Sequence, residues 1–354
     1  MPKIIKIDKY CTEIDINEHL LPNCFNLVVA PTSSGKTTMA MRMSQEGQDV
    51  AFVAPYTGIT NQVNLNYPEL SVEVGMKAED NLSISGGRIT SMHSIPKMLE
   101  LKNIDLLVLD EVHTLLSYSF TNGMLSNFWK TVQKLITKHP HMKIMCLTGT
   151  PQFIRLLPQF DFNEIVIQAK TQTAKPGNVY VERSWTSELN KNNNYLYLYQ
   201  SRKQGKQQAN KYNGVFIDSA SKDSVPEYFD ILKGEMPANR IFTSTLLSTG
   251  ISINQKVDTI YTNWMHLQDI VQMSARNRPG GHDLKVTQTI PFFLQKGMDE
   301  PLLRYCDDFE LDVKLLNDWA TWYSYQFHKG DMADLFTLLY QMIWTPDQEL
   351  PPIY

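Results

Sequence analysis

Two short segments carry residues whose types and spacing suit phosphate chemistry. The first is Ala30-Pro31-Thr32-Ser33-Ser34-Gly35-Lys36-Thr37-Thr38, which follows directly on the apolar run Phe25–Ala30. A polar, Gly-containing turn between a buried strand and a helix can wrap its backbone N–H groups around phosphates, where the partial positive charge of the helix N-terminus favours anions. Thr32, Ser33, Ser34, Gly35 and Thr38 would line such a loop, Lys36 would reach the outer phosphates, and the Thr37 hydroxyl would ligate Mg²⁺. Ala30 stands where the first Gly of this motif is usual. The second segment is Asp110-Glu111-Val112-His113, at the end of the apolar run Asp105–Leu109. Adjacent carboxylates at the end of a buried strand are costly unless a positive charge compensates them, and a metal-bound nucleotide supplies that charge. In that setting Asp110 would hold the metal through its water shell, and Glu111 would orient and deprotonate an attacking water.

These residues need a scaffold, and the sequence predicts one. Phe25–Ala30, Val50–Ala54, Asp105–Leu109 and Lys143–Leu147 are short apolar runs closed by turn or polar residues, and read as buried strands. Helical patterns over Thr37–Gln45 and Met124–Lys138 lie between them. The second half repeats the alternation, with strands expected at Gly214–Asp218, Arg240–Thr243, Asp258–Tyr261 and Lys285–Ile290. Strands alternating with helices imply an α/β fold, two parallel-sheet domains flanked by helices. The expected boundaries are 1–167 for the first domain, 168–178 for a polar linker, 179–298 for the second domain, and 299–354 for a C-terminal helical hairpin and tail, with helical spacing of Leu311, Leu315, Trp319, Trp322 and then Leu335, Leu339, Ile343.

Composition narrows the function classes. The chain has 354 residues, a formal charge of −4, 42% apolar and 20% charged residues, which is ordinary globular usage. An acidic balance excludes a protein that coats nucleic acid by bulk charge, so a strand would be held in a local groove. Cys11, Cys24, Cys146 and Cys306 are scattered, with neither disulfide-scaffold nor zinc-site spacing. The N-terminus lacks a signal-type apolar region and no stretch approaches a membrane span, so an intracellular, cytoplasmic protein without membrane contact is expected.

With the loop and the acidic pair in place, the sequence resembles the superfamily 2 helicases, and through Asp110-Glu111-Val112-His113 their DExH type. Further segments match that family in order. Pro55-Tyr56-Thr57 resembles motif Ia and Thr90-Ser91 motif Ib, which touch the nucleic-acid backbone; Thr148-Gly149-Thr150-Pro151 resembles motif III, which with His113 couples hydrolysis to domain movement. In the second half, Ser219 lies in a motif IV-like segment, Ser244, Thr245 and Gly250 in a motif V-like one, and Gln272, Arg276 and Arg278 in a motif VI-like one. The resemblance implies two RecA-like domains with ATP in the cleft between them, Mg²⁺, Gln272 against the nucleotide or the attacking water, and Arg276 and Arg278 as fingers on the γ-phosphate. It implies Gly250 at the nucleotide and Ser219, Ser244 and Thr245 at the strand. Two departures stand out: the arginines are spaced Arg276-x-Arg278 rather than RxxR, and no Gln precedes the loop. The texture of residues 243–252 and 272–278 resembles the origin-binding-protein branch of viral replication helicases, which favours single-stranded DNA over RNA and implies replication-type protein partners.

Weaker signals have blander readings. Lys191, Arg202, Lys203, Lys206 and Lys211 interleave with Tyr195, Tyr197 and Tyr199, a pattern that suits a single-strand groove or, more plainly, a solvated helix face beside a strand. Besides an ATP-driven helicase or translocase, two alternatives stay open. One is a nucleotide-gated nucleic-acid-binding protein without productive unwinding; the other is a viral DNA-packaging-type ATPase.

Overall fold

A computed structural model describes residues 2–55, 57–67, 88–114, 124–151, 162–171, 174–182, 193–199, 201–218, 220–244, 251–263 and 267–287. Residues 299–354, with the expected helical hairpin, lie outside the described residues. The chain divides into two compact units, with the change between Thr171 and Gln172.

The first unit is built on seven parallel strands: β1 (Lys3–Ile7), β2 (Phe25–Val29), β3 (Val50–Ala54), β4 (Arg88–Ser91), β5 (Leu106–Leu109), β6 (Lys143–Thr148) and β7 (Phe162–Ala169). They lie in the order β1-β7-β2-β6-β5-β3-β4. All five residues of β3 and all four of β5 are buried, as expected of strands covered on both faces. The helices are α1 (Lys36–Gln45), α2 (Thr57–Asn66) and α3 (Met124–Lys138). On α1 the buried residues Lys36, Met39, Ala40, Met43 and Ser44 recur at helical spacing, which turns one stripe onto the sheet. Gly47, in the left-handed region at φ 95°, ends that helix. Met39 and Met43 join Val28, Phe52, Val108, Met145 and Ile165 in one core.

The second unit carries six more parallel strands: β8 (Asn178–Glu182), β9 (Tyr195–Leu198), β10 (Val215–Ile217), β11 (Arg240–Thr243), β12 (Thr259–Thr262) and β13 (Asp283–Thr287), in the order β10-β11-β9-β12-β13-β8. Its helices are α4 (Arg202–Tyr212), α5 (Glu227–Leu232) and α6 (Leu267–Ser274). Ser201 caps α4, accepting from the Gln204 N–H, and Asn213 closes it in the left-handed conformation. Gly214 follows because a Cβ there would meet the Arg240 carbonyl at 2.8 Å. One face of this sheet is aliphatic, with Leu196, Leu198, Ile241, Ile260 and Leu284; the other is aromatic, with Tyr195, Tyr197, Phe242 and Tyr261.

Two expectations change here. The polar stretch 168–178 begins and ends in strand, since Gln168 and Ala169 pair with Lys6 and Ile7 of β1, and Asn178 pairs with Asp283. Of the two readings of Tyr195, Tyr197 and Tyr199, the groove lining gives way to the plainer strand beside a helix, because the rings are interior: Tyr197 stacks on Phe242 at 4.3 Å and on Tyr261 at 4.8 Å. Three aromatic rings on neighbouring strands form a packed layer and are unavailable to bases. Arg202 from the same segment is ion-paired to the buried Asp218 at 2.7 Å.

Candidate nucleotide and strand sites

The first unit gathers its candidate residues at the carboxyl ends of its strands, where ligands bind in open parallel sheets. β2 leads into the phosphate loop, β6 into Thr148-Gly149-Thr150, β5 into Asp110-Glu111, β3 into Pro55 and β4 ends at Thr90-Ser91. The strand order makes these neighbours, so the loop and the acidic pair stand two strand spacings apart, about 10 Å. That span suits a phosphate chain and a cation between them.

The loop is curled by backbone geometry. Ser33 (φ 66°) and Gly35 (φ 82°) are both left-handed, which turns the chain before Lys36 opens α1. Gly35 is the residue with no penalty for that φ, and Met39 N–H already bonds its carbonyl at 2.9 Å. Lys36 is buried and its Nζ donates to the Ala30 and Pro31 carbonyls at 3.2 and 3.0 Å. The ammonium thus folds back over the loop that phosphates would fill. Thr32 and Ser34 are buried, Thr37 is half-buried and Thr38 is exposed. A contact the sequence did not signal braces the loop: Cys11 N–H donates to Ser34 O at 2.8 Å, and Cys11 Sγ lies 3.1 Å from Ser34 Oγ. Burial pushes the Cys11 thiol up, partly opposed by Ser34 and Lys36, so it stays a thiol at neutral pH.

At the acidic end, Asp110 and Glu111 are both buried. Asp110 N–H extends the ladder to Val53 O at 2.9 Å, and Asp110 Oδ1 accepts from the Glu111 N–H at 3.1 Å. Glu111 sits in the left-handed region at φ 47°, a strained conformation for a non-glycine residue, held by Thr114 N–H and Oγ1 on its carbonyl at 2.9 and 2.8 Å. Its Oε2 is buried without a hydrogen bond, and His113 Nδ1 lies 3.4 Å from it. Two buried carboxylates, one with an unsatisfied oxygen, form a donor set that fits a hydrated Mg²⁺ and an activated water. His113 Nδ1 also lies 3.0 Å from Thr148 Oγ1, which accepts from the Thr150 N–H at 3.0 Å. The residues expected to couple hydrolysis to movement therefore form one hydrogen-bonded chain from His113 through Thr148 to Thr150, with Glu111 Oε2 beside its His113 end.

The expected strand-binding residues of this unit also converge. Ala54 pairs with Ser91 and Val53 with Thr90, so Pro55 and the Thr90-Ser91 pair sit side by side. Thr57 begins α2, and Tyr56 lies outside the described residues.

In the second unit, Ser244 is buried at the end of β11, whereas Ser219, Thr245 and Gly250 lie outside the described residues. Gln272 is buried on α6, and its Oε1 accepts from Arg276 Nη2 at 3.5 Å. Arg278 Nη2 donates to Ser252 Oγ. The backbone around both arginines is fixed: Ile253 N–H donates to Arg276 O at 2.7 Å and Arg278 N–H to Ile253 O at 2.9 Å. Asn277 and His282, both fully buried, complete this turn and were not singled out from sequence.

Among the described residues no helix is long and apolar enough to cross a membrane. Residues 14–156 match the family model of the DEAD/DEAH box helicases. No curated protein sequence matches the chain. Solved structures with the same fold include Dbp5 of S. cerevisiae bound to RNA and ADP BeF3, at 12% identity and a TM-score of 0.59, covering 85% of this chain and 88% of that one. Another is the DEAD-box helicase Mss116 bound to ssRNA and UDP-BeF, at 12% identity and a TM-score of 0.56, covering 86% and 80%. Both units thus have the RecA-like fold of these helicases. Residues 14–156 carry a helicase domain, a type that hydrolyses ATP with Mg²⁺ and binds nucleic acid.

Proposed function

We propose that this chain is an ATP-dependent helicase or translocase that moves along a single nucleic-acid strand. The observation that carries the reading is the order of one sheet edge. The phosphate loop, the Thr148–Thr150 turn and the Asp110-Glu111 pair occupy three adjacent strand ends, and Pro55, Thr90 and Ser91 occupy the next two. Hydrolysis and strand contact are therefore neighbours on one rigid scaffold.

In this reading the loop N–H groups and Lys36 bind the phosphates, replacing the carbonyl partners Lys36 now holds. Thr37 and Asp110 would hold Mg²⁺, which when bound neutralises phosphate charge. Glu111 orients the attacking water and takes its proton at a carboxylate oxygen. Arg276 and Arg278 stabilise the charge that develops on the transferred phosphoryl. Gln272 acts through Arg276, whose guanidinium it already contacts. His113 and Thr148 carry the change at Glu111 to Thr150. The His at the fourth position of Asp110–His113, hydrogen-bonded as it is, supports the DExH form.

The replication-helicase texture favours DNA, while the two solved structures, Dbp5 and Mss116, are bound to RNA. ATP turnover measured without polymer, with single-stranded DNA and with single-stranded RNA, with Lys36→Ala as blank, tests the reading and the polymer together. Stimulation by one polymer supports a strand motor and names its track. Turnover that neither polymer changes sinks it. Strand displacement then separates a helicase from a clamp that hydrolyses without unwinding.

A further inference from the structure

The arginine-bearing turn of the second unit contains a buried polar lock whose role the proposed chemistry does not use. Asn277 lies between Arg276 and Arg278, and its side chain is fully buried. Its Nδ2 donates to Val257 O at 3.3 Å and Gly280 O at 3.5 Å, and lies 3.1 Å from His282 Nδ1. Its Oδ1 accepts from Val257 N–H at 3.4 Å. The amide thus pairs with both polar groups of one residue, as a strand partner would. Gly280 N–H returns to Asn277 O at 3.1 Å, and Gly280 and Gly281 both take the left-handed conformation. His282 O accepts from Gly177 N–H, and Gly281 N–H donates to Lys175 O, each at 2.8 Å.

From this geometry we infer that Asn277 and His282 are positioning residues for Arg276 and Arg278. The two arginines are separated by one residue, closer than the family spacing. The isolated bridge to Ile253 holds the main chain on both sides of Asn277, through Ile253 N–H on Arg276 O and Arg278 N–H on Ile253 O, while the Asn277 side chain enters the lock. An apolar residue at 277 would leave Val257 N–H and O buried without these partners and free the bridge to rotate. Small displacements of charged groups that act on a transferred phosphoryl are costly in rate, on the order of 10²-fold for about 1 Å. The lock converts an irregular spacing into a fixed pair of guanidinium positions.

This inference rests on the ATP-hydrolysing reading, and wild-type turnover separates the two: without it that reading fails before the lock is tested. With turnover present, Asn277→Ala is expected to lower kcat about 10²-fold while the Kd of a fluorescent ATP analogue stays within about twofold. His282→Gln, whose amide oxygen can accept from Asn277, is expected to retain more turnover than His282→Ala. In an Arg276→Lys or Arg278→Lys background, Asn277→Ala is expected to cost less than in the wild type, because the lock acts through the arginine already weakened. An equal fold-loss in all three backgrounds, or an unchanged kcat, overturns the inference, as does a loss explained by a fallen thermal midpoint with no difference between His282→Gln and His282→Ala.

Discussion

Glu111 combines two costs in one residue, a buried carboxylate oxygen without a hydrogen bond and a left-handed backbone. Strain of this kind, about 1–3 kcal/mol, persists where surrounding contacts over-determine it. Glu111→Gln should therefore leave ATP binding intact and reduce kcat by about 10²–10⁴-fold, the usual worth of a positioned general base; a binding titration beside a turnover assay checks both halves. Glu111→Gly removes the strain as well as the base. Its thermal midpoint should rise while turnover disappears, a trade that a melting curve beside the same assay would expose. Lys36→Ala should behave differently from both, losing nucleotide affinity first, because its ammonium is already seated over the loop.

At the scale of elements, the aromatic face of the second sheet and the buried turn after α6 are open to direct tests. Tyr197 lies between Phe242 and Tyr261, so Tyr197→Ala should cost about 3–5 kcal/mol of unfolding free energy, measured by denaturant melts, with no selective loss of strand affinity. Burial pulls the pKa of His282 down to about 4 from 6.5. The unfolded chain then binds the extra proton between those values, so stability falls as pH drops from 6.5 to 4, by about 3 kcal/mol in all. Melts at pH 7 and pH 5 should show that slope in the wild type and a flatter one in His282→Gln. These elements also mark what sequence could reveal. β2, β3, β5 and β6 read as apolar runs because both their faces are covered, and the period of α3 appears over its full length, Met124–Lys138. The strand β1, KIIKI, and β7, FNEIVIQA, carry charged or polar residues on a partly open face and escaped notice. Tyr195 to Tyr199 suggested a groove because their partners, Phe242 and Tyr261, come from strands distant in sequence. Lys36, Glu111 and His113 were legible since each sits within a few residues of an apolar strand end. Cys11 and His282 were not, since their partners Ser34 and Asn277 touch them only after folding.

For the whole molecule, a charge of −4 means that strand affinity comes from a few local contacts. The polymer concentration giving half-maximal stimulation should rise with salt, with a log–log slope of about 0.7 per phosphate neutralised on a single strand; a titration at several salt concentrations measures it. The first sheet places β7 between β1 and β2, so that Lys3 of β1 pairs with Ile165. During synthesis the partner of β1 emerges about 160 residues later, on the order of ten seconds at ribosomal speeds. Until then β1 and the β7-facing edge of β2 are without their neighbour, and the sheet that carries the phosphate loop closes only when β7 slides between two strands made long before it. The loop is thus written well before the strand that closes its sheet.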